Sequence, residues 1–144
     1  MTFRDATADD LDALAALHAA FFREEGYPLD ETRARAAIAE LLANRSLGRI
    51  AIAGERAGYF VLGYGYSLEF HGRDAFLDEL YVIPAARGQG LGRAALRYAE
   101  EMCREDGIRA LHLEVEHGKP DTYRLYEDTG FEDHSRHLMT KLLA

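Results

Sequence analysis

The stretch Leu77-Asp78-Glu79-Leu80-Tyr81-Val82-Ile83-Pro84-Ala85-Ala86-Arg87-Gly88-Gln89-Gly90-Leu91-Gly92-Arg93 decides the fold class. Its first half closes a strand, Ala75 to Ile83, and Pro84 stops it. Its second half is a glycine-rich loop that runs straight into an amphipathic helix. Leu91, Ala95, Tyr98, Ala99 and Met102 share one face of that helix, while Arg93, Arg97, Glu100 and Arg104 point outward. Glycines between a strand and a helix let backbone N–H groups approach a ligand closely, and the helix N-terminus favours an anion. The natural guest is a phosphate or pyrophosphate. The plain alternative is a turn whose dihedral angles require glycine. Arg87 and Arg93, at the two ends of the loop, favour the phosphate. The spacing is G-x-G-x-G, not the G-x-G-x-x-G of dinucleotide sites, and the G-K-[ST] of a Walker loop is missing.

Upstream, Thr2 to Ala6 reads as a short strand, and Thr7-Ala8-Asp9-Asp10 as a capping signal. Leu11, Leu14, Ala15, Leu17, His18, Phe21 and Phe22 follow at helical spacing to about Glu25, with Gly26 and Pro28 as stops. Asp30 caps a second helix through Ala43, which Asn44 and Gly48 end. The period then changes. Arg49 to Ala53 and Gly58 to Phe70 read as strands joined by Gly54-Glu55-Arg56-Ala57, with His71-Gly72-Arg73-Asp74 as a second turn. Downstream, Gly107 stops the long helix, and Ile108 to Glu116 alternates as a strand. A short helix spans Asp121 to Asp128, Gly130 closes it, and His134 to Leu142 reads as a final strand. The order is β-α-α-β-β-β-α-β-α-β, a mixed α/β architecture over residues 1–144 as one domain.

The 144 residues carry 25 acidic against 17 basic side chains, a net charge of −8. That balance argues against nucleic acid as partner, because phosphate contacts need clustered Lys and Arg. A cationic substrate is compatible with it. The one cysteine, Cys103, has no internal disulfide partner, which fits a cytoplasmic location. Its place near the inner face of its helix makes it a buried thiol and not a nucleophile. Met1-Thr2-Phe3-Arg4-Asp5 lacks the pattern of a signal peptide. No apolar run approaches the ~18 residues that span a bilayer, so no membrane segment is expected.

Leu77-x-x-Leu80-x-Val82-x-Pro84-x-x-Arg87-Gly88-Gln89-Gly90-x-Gly92 resembles the acyl-CoA-binding motif of the GNAT N-acetyltransferase superfamily. Arg4-Asp5-Ala6-Thr7-Ala8-Asp9-Asp10-Leu11 resembles that family's opening, and Leu125-Tyr126-Glu127-Asp128-Thr129-Gly130-Phe131 its closing L-Y-x-x-x-G-F signature. The resemblance covers essentially the whole chain. It implies a mostly antiparallel sheet with a splayed strand pair and helices on both faces. It also implies acetyl-CoA as co-substrate, with the pantetheine arm along Leu80, Tyr81 and Val82. The pyrophosphate is then expected on the loop from Arg87 and Gly88 through Gln89, Gly90, Leu91 and Gly92 to Arg93. Relatives commonly dimerise, so a homodimer is expected. Where the family often carries Asn and Ala before its L-Y signature, this chain has Lys119 and Thr122. Lys119 is thus a candidate phosphate contact in place of the usual Asn contact.

Acetyl transfer to an amine needs a group that accepts the ammonium proton and a donor for the departing thiolate. Tyr126 matches the family tyrosine that protonates the thiolate; the alternative is a tyrosine packed in the core. The segment from Leu77 to Gly90 is similar to the diamine and thialysine acetyltransferase branch. There the residue matching Asp78 is a glutamate thought to act through water. Asp is one methylene shorter, which favours a water relay. Glu79 is the second candidate base. Strand alternation places the two carboxylates on opposite faces, and the plain alternative for either is a pair with an arginine. Glu24 and Glu25, beside Phe21, Phe22 and Tyr27, are expected to border the acceptor entrance together with Asp78 and Glu114. His112, Glu114 and Glu116 share one strand face, with His117 next; they read as a polar face on the substrate side of the sheet, and no metal is expected.

The expected function is acetyl transfer from acetyl-CoA to a primary amine of a small molecule, slightly favouring polyamine-like acceptors, by direct attack in a ternary complex. The alternatives are a non-catalytic acyl-CoA sensor, for which Tyr126 would be superfluous, and acetylation of a protein or peptide amine.

Overall fold

The computed structural model describes residues 2–144. Strands β1 (Phe3–Asp5), β2 (Gly48–Ala53), β3 (Gly58–Ser67), β4 (Gly72–Val82) and β5 (Ala110–His112) form one sheet in that order. The pairs from β1 to β4 are antiparallel, and β5 runs parallel to β4. The helices are α1 (Leu11–Glu25), α2 (Glu31–Ala43), α3 (Leu91–Glu105) and α4 (Pro120–Asp128). This is the expected mixed α/β architecture. Contacts divide the chain into two compact units, one ending at Glu114 and the other spanning Val115–Ala144.

Local chemistry sets the helix ends in the first unit. Asp10 accepts from the Thr7 amide at 2.8 Å, just ahead of α1. Asp30 Oδ1 accepts from the Arg33 amide at 3.0 Å and caps α2. Alternation along the strands then builds two apolar layers. Ile50, Ile52, Tyr59 and Tyr81 face Leu14 and Leu17 of α1, with Ile38, Leu41 and Leu42 of α2 beside them. On the opposite face Phe60 meets Phe3 and Tyr98, and α3 buries Leu91, Ala95, Leu96, Ala99, Met102 and Cys103. Burial, above all other causes, raises the Cys103 thiol to about 11, so it stays a protonated core group at neutral pH.

Arg49 lies on that second face with its side chain only 4% exposed. A buried guanidinium is tolerated only when its donors are met. Glu105 and Asp106 accept from Nη1 at 3.2 and 3.3 Å, and Asp5 accepts from Nη2. Tyr98 and Tyr64 in turn donate to Asp5 and Asp106 at 2.7 and 2.5 Å. This network ties β1 and β2 to the end of α3.

Three expectations on strand limits are corrected. The turn between β3 and β4 is Leu68 to His71, and β4 starts at Gly72, because Gly72 pairs with Ser67 and the ladder closes there. The strand expected over Ile108 to Glu116 is ordered as strand only at Ala110–His112. Its partners are Asp74, Ala75 and Phe76; beyond Phe76, β4 and β5 no longer pair, so Leu113 to Glu116 have no ladder. The final strand expected over His134 to Leu142 does not form: residues 131–144 contain no strand, and Leu138, Met139, Leu142 and Leu143 are exposed. A strand-like stretch does not become a strand without a hydrogen-bonded neighbour.

Arg4 donates to both Asp10 oxygens at 2.8 Å, and these bonds above all hold the Asp10 carboxyl down at about 2. A carboxyl whose folded pKa lies below its unfolded value stabilises the fold above the unfolded pKa. That stabilisation is lost as pH falls through the folded pKa. From the unfolded value near 3.8 to about 2, Asp10 should therefore cost the fold roughly 2 kcal/mol on acidification. Urea unfolding against pH should show this slope, and Asp10→Asn should flatten it.

Candidate active site

The decisive local feature is a bulge in β4. Val61 pairs with Glu79 and Leu62 with Leu77, so Asp78 has no partner on β3. In a regular strand Leu77 and Glu79 would share a face. Here Leu77 lies opposite Leu62, on the α3 side with Phe60, whereas Glu79 meets His18 of α1. The expectation that Asp78 and Glu79 occupy opposite faces is thereby overturned. Both line one cavity of about 130 Å³ beneath α1 and α2, walled by Leu14, Ala34, Ala37, Ile38, Leu41, Ile50 and Val61, with His18 and Tyr59.

The two carboxylates differ in their surroundings. Glu79 Oε1 accepts from Tyr59 Oη at 2.5 Å and pairs with His18 Nδ1 at 2.9 Å. Burial first, and the Glu79 charge next, raise the Tyr59 hydroxyl, so it stays protonated and donates. Asp78 makes no hydrogen bond to another side chain among the described residues and is exposed. Protein crowded around its carboxylate still desolvates it, and with the neighbouring Glu79 charge this outweighs His18 and raises its pKa. A raised carboxyl is better matched to taking a proton near neutrality. Neither carboxylate pairs with an arginine among the described residues. His18 and Tyr59 were not singled out from the sequence. The available signal was a histidine on the otherwise apolar inner stripe of α1.

Past Phe76, the β5-side edge of β4 has no ladder partner, and this includes Leu80, Tyr81 and Val82. The Val82 carbonyl there accepts from Arg87 Nε at 3.0 Å. Arg87 also holds Glu24 at 2.7 Å, and its guanidinium lies 5.8 Å from the Tyr81 ring centre. Glu24, expected at the acceptor entrance, is thus engaged by the loop arginine. Glu25, one residue on, is half-buried at the end of α1. Tyr81 is stacked on Phe21 at 5.2 Å, in a cluster with Phe22 and Tyr27.

Gly88 and Gly90 have left-handed backbones, φ +77° and +80°, and nothing lies within 4 Å of where a Cβ would stand on either. Gln89, between them, is exposed. Leu91 opens α3 and is buried, with Gly92 and Arg93 in the same first turn. The N-cap residue is Gly90, which has no side chain to cap α3, and the start of a helix favours an anion. These residues fit a pyrophosphate cradle. Gly90→Val would force a β-branched residue into the left-handed region. Acetyl-CoA affinity measured by calorimetry should fall ~5- to 150-fold, as holding the loop in its binding form then costs ~1–3 kcal/mol, while circular dichroism stays native.

Glu114 is exposed just past β5. His112 pairs with Asp74 at 3.1 Å and packs against Phe70 and Phe76. In the second unit, Lys119 precedes α4 and Tyr126 lies on it. The Tyr126 ring meets Phe131 edge-on at 5.9 Å, and the Phe131 amide donates to the Tyr126 carbonyl at 3.0 Å. Burial raises the Tyr126 hydroxyl, and the Lys119 charge opposes this only in part.

The fold joins a split sheet edge, a glycine loop leading into α3 and a carboxylate pair on one bulged strand. Residues 11–131 match the acetyltransferase (GNAT) family, and the chain belongs to it. It is an acetyltransferase of that family, whose co-substrate is acetyl-CoA. It is 30% identical over 142 residues to the aminoalkylphosphonate N-acetyltransferase of Salmonella typhimurium, covering 97% of this chain and 90% of that one. Over 89 residues it is 33% identical to the thialysine N-epsilon-acetyltransferase of Mus musculus, covering 58% of this chain. That match takes in only 52% of the mouse enzyme. Among solved structures, an integron cassette protein from the mobile metagenome of Cole Harbour Salt Marsh superposes with a TM-score of 0.88 at 36% identity, covering 99% of this chain and 91% of that one. No described helix is long and apolar enough to cross a membrane.

Proposed function

We propose that the whole chain, residues 1–144, is one acetyltransferase domain that transfers an acetyl group to a primary amine of a small, polyamine-like cation. The observation that carries the acceptor class is the bulge at Asp78, which brings two carboxylates to a cavity whose other lining is almost wholly apolar. No lysine or arginine is among its lining residues. Such a site attracts a cationic amine on an alkyl chain and repels an anionic one.

Acetyl-CoA supplies the activated thioester. Gly88 through Arg93 would hold its pyrophosphate, Lys119 would add a cation, and the open edge at Leu80, Tyr81 and Val82 would take its amide-bearing arm. Asp78, through a water, takes the proton from the ammonium so that the amine lone pair can attack. The C–N bond forms, the C–S bond breaks, Tyr126 delivers a proton to the departing sulfur, and the second proton shed by the nitrogen restores the Tyr126 hydroxyl. Glu79, and with it Glu24, Glu25 and Glu114 around the acceptor, supply negative potential. A cytoplasmic homodimer belongs to the same reading, and light scattering tests its oligomeric part.

A turnover screen with acetyl-CoA tests the acceptor class, using diamines and polyamines, thialysine, aminoalkylphosphonates, aminoglycosides and peptide N-termini. The highest kcat/KM is expected for a diamine or polyamine and the lowest for the aminoalkylphosphonate, whose anion would face Asp78 and Glu79. The opposite ranking overturns the proposal. Thermal stabilisation by acetyl-CoA without turnover of any amine would favour a sensor.

A further inference from the structure

We infer that His18 is a positioning residue which, with Tyr59, clamps Glu79 as a fixed anion and leaves Asp78 as the group that takes the substrate proton. The kinetic consequence rests on the acetyl-transfer reading above; the geometry of the clamp does not.

Glu79 Oε1 is the shared acceptor of two bonds, from Tyr59 Oη at 2.5 Å and His18 Nδ1 at 2.9 Å. A carboxylate has no proton to donate, so His18 must carry its proton on Nδ1, whether the ring is neutral or doubly protonated. The two bonds occupy the lone pairs of Oε1, so a substrate proton could reach Glu79 only at Oε2. Asp78, one residue away on the same cavity wall, has neither oxygen tied to a side chain.

The clamp is built to be rigid. His18 and Phe22 lie one helical turn apart on α1, with ring centres 4.1 Å apart, which fixes the plane of the imidazole. The His18 and Glu79 side chains are only 13% and 17% exposed. Asp78 and Glu79 face His18 from β4 and Tyr59 faces it from β3. Around the same cavity α2 and β2 contribute only Ala34, Ala37, Ile38, Leu41 and Ile50, none of which titrates. The three partners come from three separate elements, so the arrangement orients one carboxylate from both sides.

The first test needs no turnover. Nitrogen-edited NMR of the 144-residue chain, with His18 assigned through His18→Asn, should show a proton on Nδ1, whereas neutral histidine in water favours Nε2–H. A neutral His18 with a bare Nδ1 overturns the clamp, whatever the protein acetylates. The second test uses the best amine from the screen. His18→Leu should lower kcat ~10-fold or more, on the scale of a misplaced catalytic group, with the KM for acetyl-CoA unchanged. His18→Asn, whose amide nitrogen sits near the place of Nδ1, should restore most of kcat. Wild-type kcat in a folded His18→Leu protein overturns the clamp, as does a His18→Asn protein no better than His18→Leu. An Nδ1 proton in a protein that turns over no amine would sink the acceptor proposal and leave the clamp standing.

Discussion

Asp78→Asn is expected to lower kcat/KM for the amine by roughly 10²- to 10⁴-fold, the range for losing a general base. Glu79→Gln should cost far less, because its carboxylate acts here through charge and hydrogen bonds. In the wild type kcat/KM should rise with pH as the raised Asp78 carboxyl ionises, and again toward the alkaline side as free amine accumulates. The Asp78→Asn profile should keep only the limb that belongs to the amine. Stability provides an internal control. A carboxyl whose folded pKa lies above its unfolded value favours the fold at low pH, and that contribution is lost as pH rises through the folded pKa. At neutral pH the Asp78 charge is therefore a small liability, reduced by its exposure to solvent. The Asp78→Asn protein should melt at or slightly above the wild-type temperature while turning over slowly. Loss of stability together with activity would reassign Asp78 to a structural role. A larger loss from Glu79→Gln would move the base to Glu79 and contradict the clamp.

Tyr126→Phe is expected to drop kcat by roughly a hundredfold or more, again on the scale of a lost general acid. The ring remains against Phe131, so the α4 region should keep its packing. Burial holds the hydroxyl protonated at neutral pH, the state a donor to a thiolate needs. The hydroxyl would act chiefly in the transition state, so acetyl-CoA affinity should stay nearly constant. The defect should shrink with an acyl donor whose leaving group needs no proton. Full activity of Tyr126→Phe would keep the enzyme and discard this acid, with the thiolate then leaving directly into solvent.

The contrast between these two residues shows what was legible in the chain. Tyr126 is a candidate through its place in L-Y-x-x-x-G-F, and the loop through Arg87-Gly88-Gln89-Gly90. Asp78 is a candidate base by its position in the strand before that loop. Its true relation to Glu79 was not legible, because strand alternation assumes an unbroken ladder. The bulge exists only in the pairing of β4 with β3. His18 was passed over because its meaning depends on Glu79, 61 residues away. The segment from His134 to Leu142 failed in the opposite sense: it reads as a strand in the sequence, but a strand also needs a neighbour to bond with.

By itself the sequence determined everything that closes within a few residues. The Asp10 and Asp30 caps, the stop at Gly26, the left-handed glycines of the loop and the inner stripe of α3 are each settled by local sterics and nearby hydrogen bonds. Only the tertiary structure decided which side chains share a cavity. It re-aimed Asp78 by one unpaired residue, opened β4 past Phe76, turned Arg87 toward Glu24 and Val82, and joined α1, β3 and β4 at Glu79. The physical reason is that register and long-range polar partners are chosen by burial and hydrogen-bond satisfaction over the whole sheet. No window of neighbouring residues contains both halves of such a bond.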